Sequence, residues 1–220
     1  PRYLLPLTPL LAIYAALLAA DLSRHHRLPL CVSSFFVLGP MFLRCLVLVG
    51  TYSVPHPWVS ASEWFYGNVK PGTIVATEEW DHSLPLEATG YRIRELPVFK
   101  EETPEKWATI EDALAEAEYL VIASRRAYAT LAGMPEMYPR TARYYKRLFE
   151  GDLGFELVSC FSRFPGLGPF ALTDEPTAGL AFDFPEPCRT ERRWALQSGR
   201  LDESFVVYDH PQVLVFKAAK

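Results

Sequence analysis

Two long apolar stretches at the start of the chain constrain its fold more than any other feature. Residues 3–20 carry no charge, and residues 28–54 carry only Arg44. A helix over the first stretch would rise about 27 Å at roughly 1.5 Å per residue, close to the hydrocarbon thickness of about 30 Å. We therefore predict two transmembrane α-helices, with spans at about 3–20 and 28–54, that form a hairpin over residues 1–54.

Charge sets the expected orientation of this hairpin. The connection between the spans holds Arg24 and Arg27, so the positive-inside rule assigns it to the cytoplasm. Residues 55–220 are then extracytoplasmic. They carry 18 basic and 25 acidic side chains, a balance that excludes a basic nucleic-acid-binding domain. Because the basic residues follow the first span, the pattern also differs from that of a secretory signal peptide.

One charged residue and two cysteines lie within the apolar stretches. Arg44 either faces a bundle interior or the interface as a structural residue, or it contacts a substrate. Cys31 and Cys45 are interpreted as small packing residues.

Short apolar strands and helices alternate after Pro55-His56-Pro57. Ser60 with Glu63 matches a capping box, and Thr109 predicts the cap of a helix that extends to Glu116. The alternation predicts an α/β domain over residues 55–220, a two-layer or three-layer sandwich with a mostly parallel sheet. Strands are predicted at 73–77, 91–99, 119–123 and 155–161, and a helix at 140–150.

The C-terminal part gives two further predictions. Residues 205–208 and 213–216 have the pattern of a closing hairpin. Residues 166–187 are rich in Pro and Gly, so we expect them to wrap the surface.

The strongest polar cluster follows the first predicted strand, where open α/β sheets place ligand groups. Its carboxylates and imidazole have the chemistry to bind a divalent metal or to share a proton. The alternative is a solvated loop with Trp80 folded inward. The motifs point to no cofactor, because no phosphate-binding glycine loop follows a strand and no second ligand set completes a metal site. The cluster consists of Glu78, Glu79, Asp81 and His82.

Three other features have a functional and a structural interpretation. Asp209 either orients His210 or caps its own turn. Cys160 and Cys188 either form a disulfide in an extracytoplasmic domain or stay buried and reduced. A basic helix face either meets lipid phosphates or is simply solvated. That face holds Arg140, Arg143, Lys146 and Arg147.

The first nine residues (PRYLLPLTP), followed by an Ala/Leu-rich span, resemble a segment late in the membrane domain of bacterial GT-C glycosyltransferases. This group includes the protein O-mannosyltransferases and the lipid-A aminoarabinose transferase. Residues 60–85 and 202–211 are also similar to extracytoplasmic tails of that group.

The resemblance implies an integral protein of the bacterial plasma membrane that takes a sugar from a polyprenyl-phosphate donor at the outer face. It implies that Arg2 and Tyr3 contact the carrier phosphate by charge-assisted hydrogen bonds, although both residues also suit interfacial anchoring. The group's acidic catalytic residue lies in the first outer loop of the whole enzyme and has no equivalent here. Since the chain begins with Pro, we expect it to be a fragment that is inactive without the remaining transmembrane helices.

Our leading hypothesis is therefore the C-terminal part of a polytopic membrane glycosyltransferase, whose soluble domain covers the active cavity or aids acceptor recognition. The alternative is a non-enzymatic, membrane-anchored extracytoplasmic α/β module that binds protein or glycan. A third hypothesis, a metal-dependent hydrolase centred on Glu78, Asp81 and His82, lacks the ligands to complete its site.

Overall fold

The structure, a computed structural model, describes residues 6–26, 29–185, 188, 194–197 and 199–219. Arg2 and Tyr3, expected to contact a carrier phosphate, lie outside the described residues. Two helices open the described chain, α1 (Thr8–His26) and α2 (Leu30–Val49), and they pack against each other.

One helical stretch in the described part of the chain is long and apolar enough to cross a membrane. Its apolar part is α2, which has 20 residues and continues through Pro40 without a break. Most α2 side chains are exposed, which is the pattern of a helix that needs an apolar environment. The predicted first span is not confirmed, because part of it lies outside the described residues and α1 extends over the charged residues Asp21 and Arg24.

The chain leaves α2 through a 3-10 turn, Gly50–Ser53, and enters α3 (Pro57–Asn68). His56 caps α3 by accepting a hydrogen bond from the Trp58 amide at 3.2 Å. The predicted capping box is wrong: Pro57 occupies the first turn and starts the helix earlier, so Ser60 and Glu63 fall inside it.

The main sheet has five strands in the order β2-β1-β3-β8-β4. Its first three strands are mutually parallel, as predicted, whereas the last strand of the chain, β8, is antiparallel to both its neighbours. The predicted mostly parallel sheet is therefore mixed. The strands are β1 (Ile74–Glu78), β2 (Arg92–Leu96), β3 (Tyr119–Ile122), β4 (Phe155–Phe161) and β8 (Val213–Ala218).

The predicted closing hairpin is wrong, because a short helix, α7 (Glu203–Val206), replaces its first strand. Residues 213–216 are buried on both faces, which is the pattern of a central strand and explains why β8 inserts between β3 and β4.

Helices cover both faces of the main sheet, so the domain has three layers. On one face, Ile110, Tyr128 and Leu148 pack against apolar side chains of β1, β3 and β8. On the other face, Ala61 and Phe65 of α3 pack against alternate residues of the same strands. The helices of the first face are α4 (Pro104–Glu116), α5 (Arg126–Leu131) and α6 (Pro139–Glu150).

The predicted cap at Thr109 is wrong. Thr103 caps α4 instead, by accepting a hydrogen bond from the Lys106 amide at 3.2 Å, and Pro104 follows it in the first turn.

A second sheet consists of β5 (Gly166–Leu167), β6 (Phe170–Thr173) and β7 (Trp194–Gln197). Its first two strands lie within the segment 166–187 that was predicted to wrap the surface, and β7 follows that segment. Cys160 and Cys188 form a disulfide with their Cα atoms 5.6 Å apart, which ties the end of β4 to the segment before β7. The sequence had left this pairing open.

Two glycines hold the end of α2 against the second sheet. A Cβ at Gly50 would lie 2.5 Å from the Gly166 carbonyl oxygen, so the two backbones approach closer than any side chain permits. This contact fixes β5 beside the end of the apolar helix.

Replacing Gly50 with Ala should therefore destabilise the protein by about 1–3 kcal/mol, because the new methyl group overlaps a backbone carbonyl. Gly67→Ala is the matched control: no atom lies within 4 Å of its Cβ, so a helical Ala should preserve or raise stability. Thermal unfolding in detergent measures both variants. Equal midpoints for the two variants would contradict the contact.

Candidate functional site at the carboxyl edge and the adjoining groove

The carboxyl ends of β1 and β3 meet the start of β8 at one edge of the main sheet, because β8 runs in the opposite direction. This carboxyl edge adjoins the chain that leaves α2. The Trp58 indole donates to the Ala123 carbonyl at 2.8 Å, and its ring centroid lies 5.2 Å from that of His82. The usual ligand position of an α/β sheet therefore lies next to the end of the apolar helix.

The four predicted site residues reach this edge but turn to different partners. Glu78 is buried and accepts from the Tyr145 hydroxyl at 2.7 Å, whereas Glu79 accepts from the Phe99 amide at 2.7 Å. These two side chains hold the edge to α6 and to the segment after β2.

The other two predicted residues also have structural partners. Asp81 accepts from the Ser124 hydroxyl and lies 3.5 Å from the Arg126 guanidinium, while His82 is exposed beside Trp58. No group of three or more His, Cys, Asp or Glu side chains that could hold a metal occurs among the described residues. Trp80, expected to fold inward, is exposed instead, with a positive φ of 82°.

The surroundings of Glu78 strongly shift the pKa of its carboxyl group. Burial raises its pKa to about 8; the Tyr145 hydrogen bond lowers the pKa in part, and the charge of Asp81 raises it. At neutral pH this side chain therefore carries a proton. Within the described chain, the neighbouring buried hydroxyls of Tyr128 and Tyr144 have no hydrogen-bond partner, and burial raises their pKa values.

Sequence reasoning missed Arg125, which is buried directly after β3. Its guanidinium donates to Asp174 and to the Leu201 carbonyl, which joins the main sheet to the end of β6 and to the segment before α7. The partners lie 49 and 76 residues further along the chain, so no local pattern reveals them.

The next residue, Arg126, also joins separate segments. Its Nε lies 3.0 Å from a Glu203 carboxylate oxygen, and its guanidinium lies over the Tyr208 ring at 5.6 Å. These contacts hold α7 against the carboxyl edge.

The structure does not orient His210 through Asp209. Asp209 accepts from the Tyr52 hydroxyl, which ties it to the turn after α2. His210 is buried against Phe205, and burial lowers its pKa to about 4, so the imidazole is neutral. His56 is also within hydrogen-bond distance of the Tyr208 carbonyl, at 3.2 Å, which makes a second tie between the same segments.

A groove of about 790 Å³ lies between the last turns of α2 and the second sheet. Leu43, Val47 and Leu48 form one wall, and apolar side chains of β5, β6 and β7 form the other. Of the described residues that line it, Arg44 alone is charged. The sheet wall could not be predicted from local patterns, because the Pro and Gly residues around its short strands are typical of a loop.

The basic face of α6 is partly engaged within the fold. Arg140 lies 3.1 Å from Glu111, Lys146 lies 3.8 Å from Glu150, and Arg147 donates to the Asp152 carbonyl at 2.9 Å. These contacts favour the solvated interpretation over binding of lipid phosphates.

Comparisons with models of protein families, with curated proteins and with solved structures give no match to this chain. The groove and the carboxyl edge therefore carry the functional argument.

The raised pKa of Glu78 predicts how stability depends on pH. The pKa of Glu78 is higher in the folded protein than in the unfolded chain. Its contribution to the free energy of unfolding is therefore complete below about pH 4.5 and is lost as pH rises through about 8. Glu78→Gln keeps the shape without the charge, so its stability relative to the wild type should rise by about 2–4 kcal/mol between pH 5 and pH 9.

Chemical denaturation across this pH range measures the difference. Tyr145→Phe is the control: it removes the hydrogen bond that lowers this pKa and should retain the pH dependence. Identical slopes for the wild type and Glu78→Gln would show that the carboxyl group does not titrate in this range.

Proposed function

We propose that this chain is the C-terminal part of a polytopic membrane glycosyltransferase that takes its sugar from a polyprenyl-phosphate carrier. In this proposal, α1 and α2 span the bacterial plasma membrane, and the α/β domain covers the active cavity on the extracytoplasmic side. The observation that carries the proposal is the groove, which combines an apolar lining with Arg44, the one cation among the described residues that line it.

The chemistry of the groove suits that carrier. A polyprenyl phosphate has a long apolar chain and one anionic head. The groove offers apolar walls for the chain, and a guanidinium binds phosphate through paired, charge-assisted hydrogen bonds. An arginine within a membrane-spanning helix is also costly unless it faces a partner, which favours a functional role for Arg44.

Two observations support the extracytoplasmic orientation. Arg24 lies at the end of α1 next to the connection between the helices, where the positive-inside rule expects cytoplasmic charge. The disulfide between Cys160 and Cys188 is of a kind that persists in oxidising compartments outside the cytoplasm.

In this proposal, the α/β domain covers the active cavity and holds the groove in position. The described ionisable groups at the carboxyl edge turn to separate partners and do not converge on a common point: Glu78 is buried, Glu79 accepts from a backbone amide, and His82 is exposed. The catalytic base, a carboxylate implied by the resemblance, lies upstream. It would take the proton of the acceptor hydroxyl, whose oxygen bonds to the anomeric carbon as the carrier phosphate leaves.

Arg44→Gln should weaken binding of a polyprenyl monophosphate to this chain by about 10-fold to 100-fold, because a charge-assisted phosphate contact is lost. Arg24→Gln is the matched control, since that arginine lies at the opposite end of the hairpin and should leave binding unchanged. Titration of the lipid into protein in nanodiscs measures both. Unchanged affinity in Arg44→Gln would refute the carrier site.

The enzymatic claim is tested in the same variants of the whole protein. The wild type should transfer sugar from a polyprenyl-phosphate donor, and Arg44→Gln should lower kcat/KM by a similar factor, while the chain alone binds the carrier without turnover. A whole protein that binds the carrier and transfers nothing would favour the membrane-anchored binding module instead.

A further inference from the structure

The second sheet exposes an apolar, uncharged surface of the kind that contacts a membrane. Its strands β5, β6 and β7 contain no charged residue. Four large apolar side chains on these strands are each at least 46% exposed, which soluble surfaces rarely show in such close grouping. We call this group the apolar sheet surface: Leu167 at 46% exposure, Phe170 at 52%, Trp194 at 52% and Leu196 at 70%.

The length of α2 sets the depth of this surface. Its 20 residues rise about 30 Å, which equals the hydrocarbon thickness of a bilayer, so a spanning α2 uses its whole length within the membrane. Leu43, Arg44, Val47 and Leu48 belong to the last turns of this helix, and they share one groove with the second sheet. Elements beside these turns lie at the depth of the hydrocarbon and headgroup boundary.

The contact between Gly50 and Gly166 fixes the depth at which the second sheet lies. Because the Gly50 backbone lies directly against the Gly166 carbonyl, β5 starts at the height where α2 ends. The rest of the sheet then extends along the helix, which the shared groove requires.

We propose that the apolar sheet surface is seated in the bilayer leaflet that surrounds the end of α2, where it contacts lipid acyl chains. Phe170 and Trp194 form a ring pair with centroids 4.7 Å apart, and aromatic side chains of this kind favour the membrane interface. The absence of charge on the strands and their continuity with α2 favour lipid over a polar protein partner. The α/β domain thus has its own membrane contact, in addition to the helices.

The same four side chains form the sheet wall of the groove, so the lipid contact continues into the groove and leaves it open to lipids from the side. The inference rests on the span by α2 in the proposed function and does not depend on sugar transfer.

The test uses single cysteines labelled with an environment-sensitive fluorophore, in a chain whose two free cysteines are removed by Cys31→Ala and Cys45→Ala. The labelled variants are Leu196→Cys on the apolar sheet surface, Phe36→Cys in the middle of α2 and Gly67→Cys near the far end of α3. Vesicles of phosphatidylcholine and phosphatidylglycerol carry a nitroxide high on the acyl chain, and iodide serves as the aqueous quencher.

The label at position 196 should be quenched by the lipid nitroxide and should be at least about threefold less accessible to iodide than the label at position 67. Equal iodide quenching at 196 and 67 would overturn the proposal, as would protection of position 196 from both quenchers, which indicates a protein cover. If iodide also reaches position 36, the span itself fails. Because Leu196 also lines the groove, the carrier contact is separated by Arg44→Gln, which removes the phosphate contact and should leave these quenching signals unchanged.

Discussion

The contacts that bind the end of α2 to the carboxyl edge of the main sheet determine how the rest of the protein is arranged. Trp58 donates to the carbonyl after β3, Tyr52 donates to Asp209, and the His56 ring lies at hydrogen-bond distance from the neighbouring carbonyl. These contacts come from one short segment, so the helix and the edge are joined over only a few residues. Because α3 then leads away from that edge and β1 returns to it, the carboxyl edge adjoins the apolar helix.

The ionisable groups behind this edge stabilise the arrangement and do not form an open catalytic site. Burial keeps Glu78 protonated and His210 neutral at physiological pH. Arg125 is buried with Asp174, and removal of either partner would leave an unpaired buried charge. The groove differs from this edge because its charged lining residue, Arg44, lies among apolar side chains. A covering and positioning role for the α/β domain follows from this contrast.

The sequence predicted those parts of the fold that depend on local patterns. β1, β3, β4 and α6 lie within one or two residues of the predicted ranges, because burial and the Pro and Gly at the ends of α6 act locally. The insertion of β8 depends on long-range pairing, and its apolar residues suited a hairpin equally well. The second sheet was hidden because its strands are short and lie among turn residues.

The candidate site was predicted in position but not in chemistry. Glu78, Glu79, Asp81 and His82 do lie at the carboxyl edge, yet each side chain turns to a separate partner that only the tertiary fold supplies. Arg44 was recognised as unusual from its apolar surroundings. The wall that makes its groove comes from residues more than a hundred positions later, which no local pattern indicates.

The most direct test of the account is the height of the two sheet edges above the membrane. A donor fluorophore is placed at His82→Cys on the carboxyl edge or at Lys70→Cys on the opposite edge, with Cys31→Ala and Cys45→Ala, and acceptors label the lipid headgroups. Since β1 has five residues at about 3.3 Å each, energy transfer should report position 82 as nearer the bilayer by about 15 Å. Equal transfer from both positions, or a nearer position 70, would contradict the claim that the carboxyl edge faces the membrane.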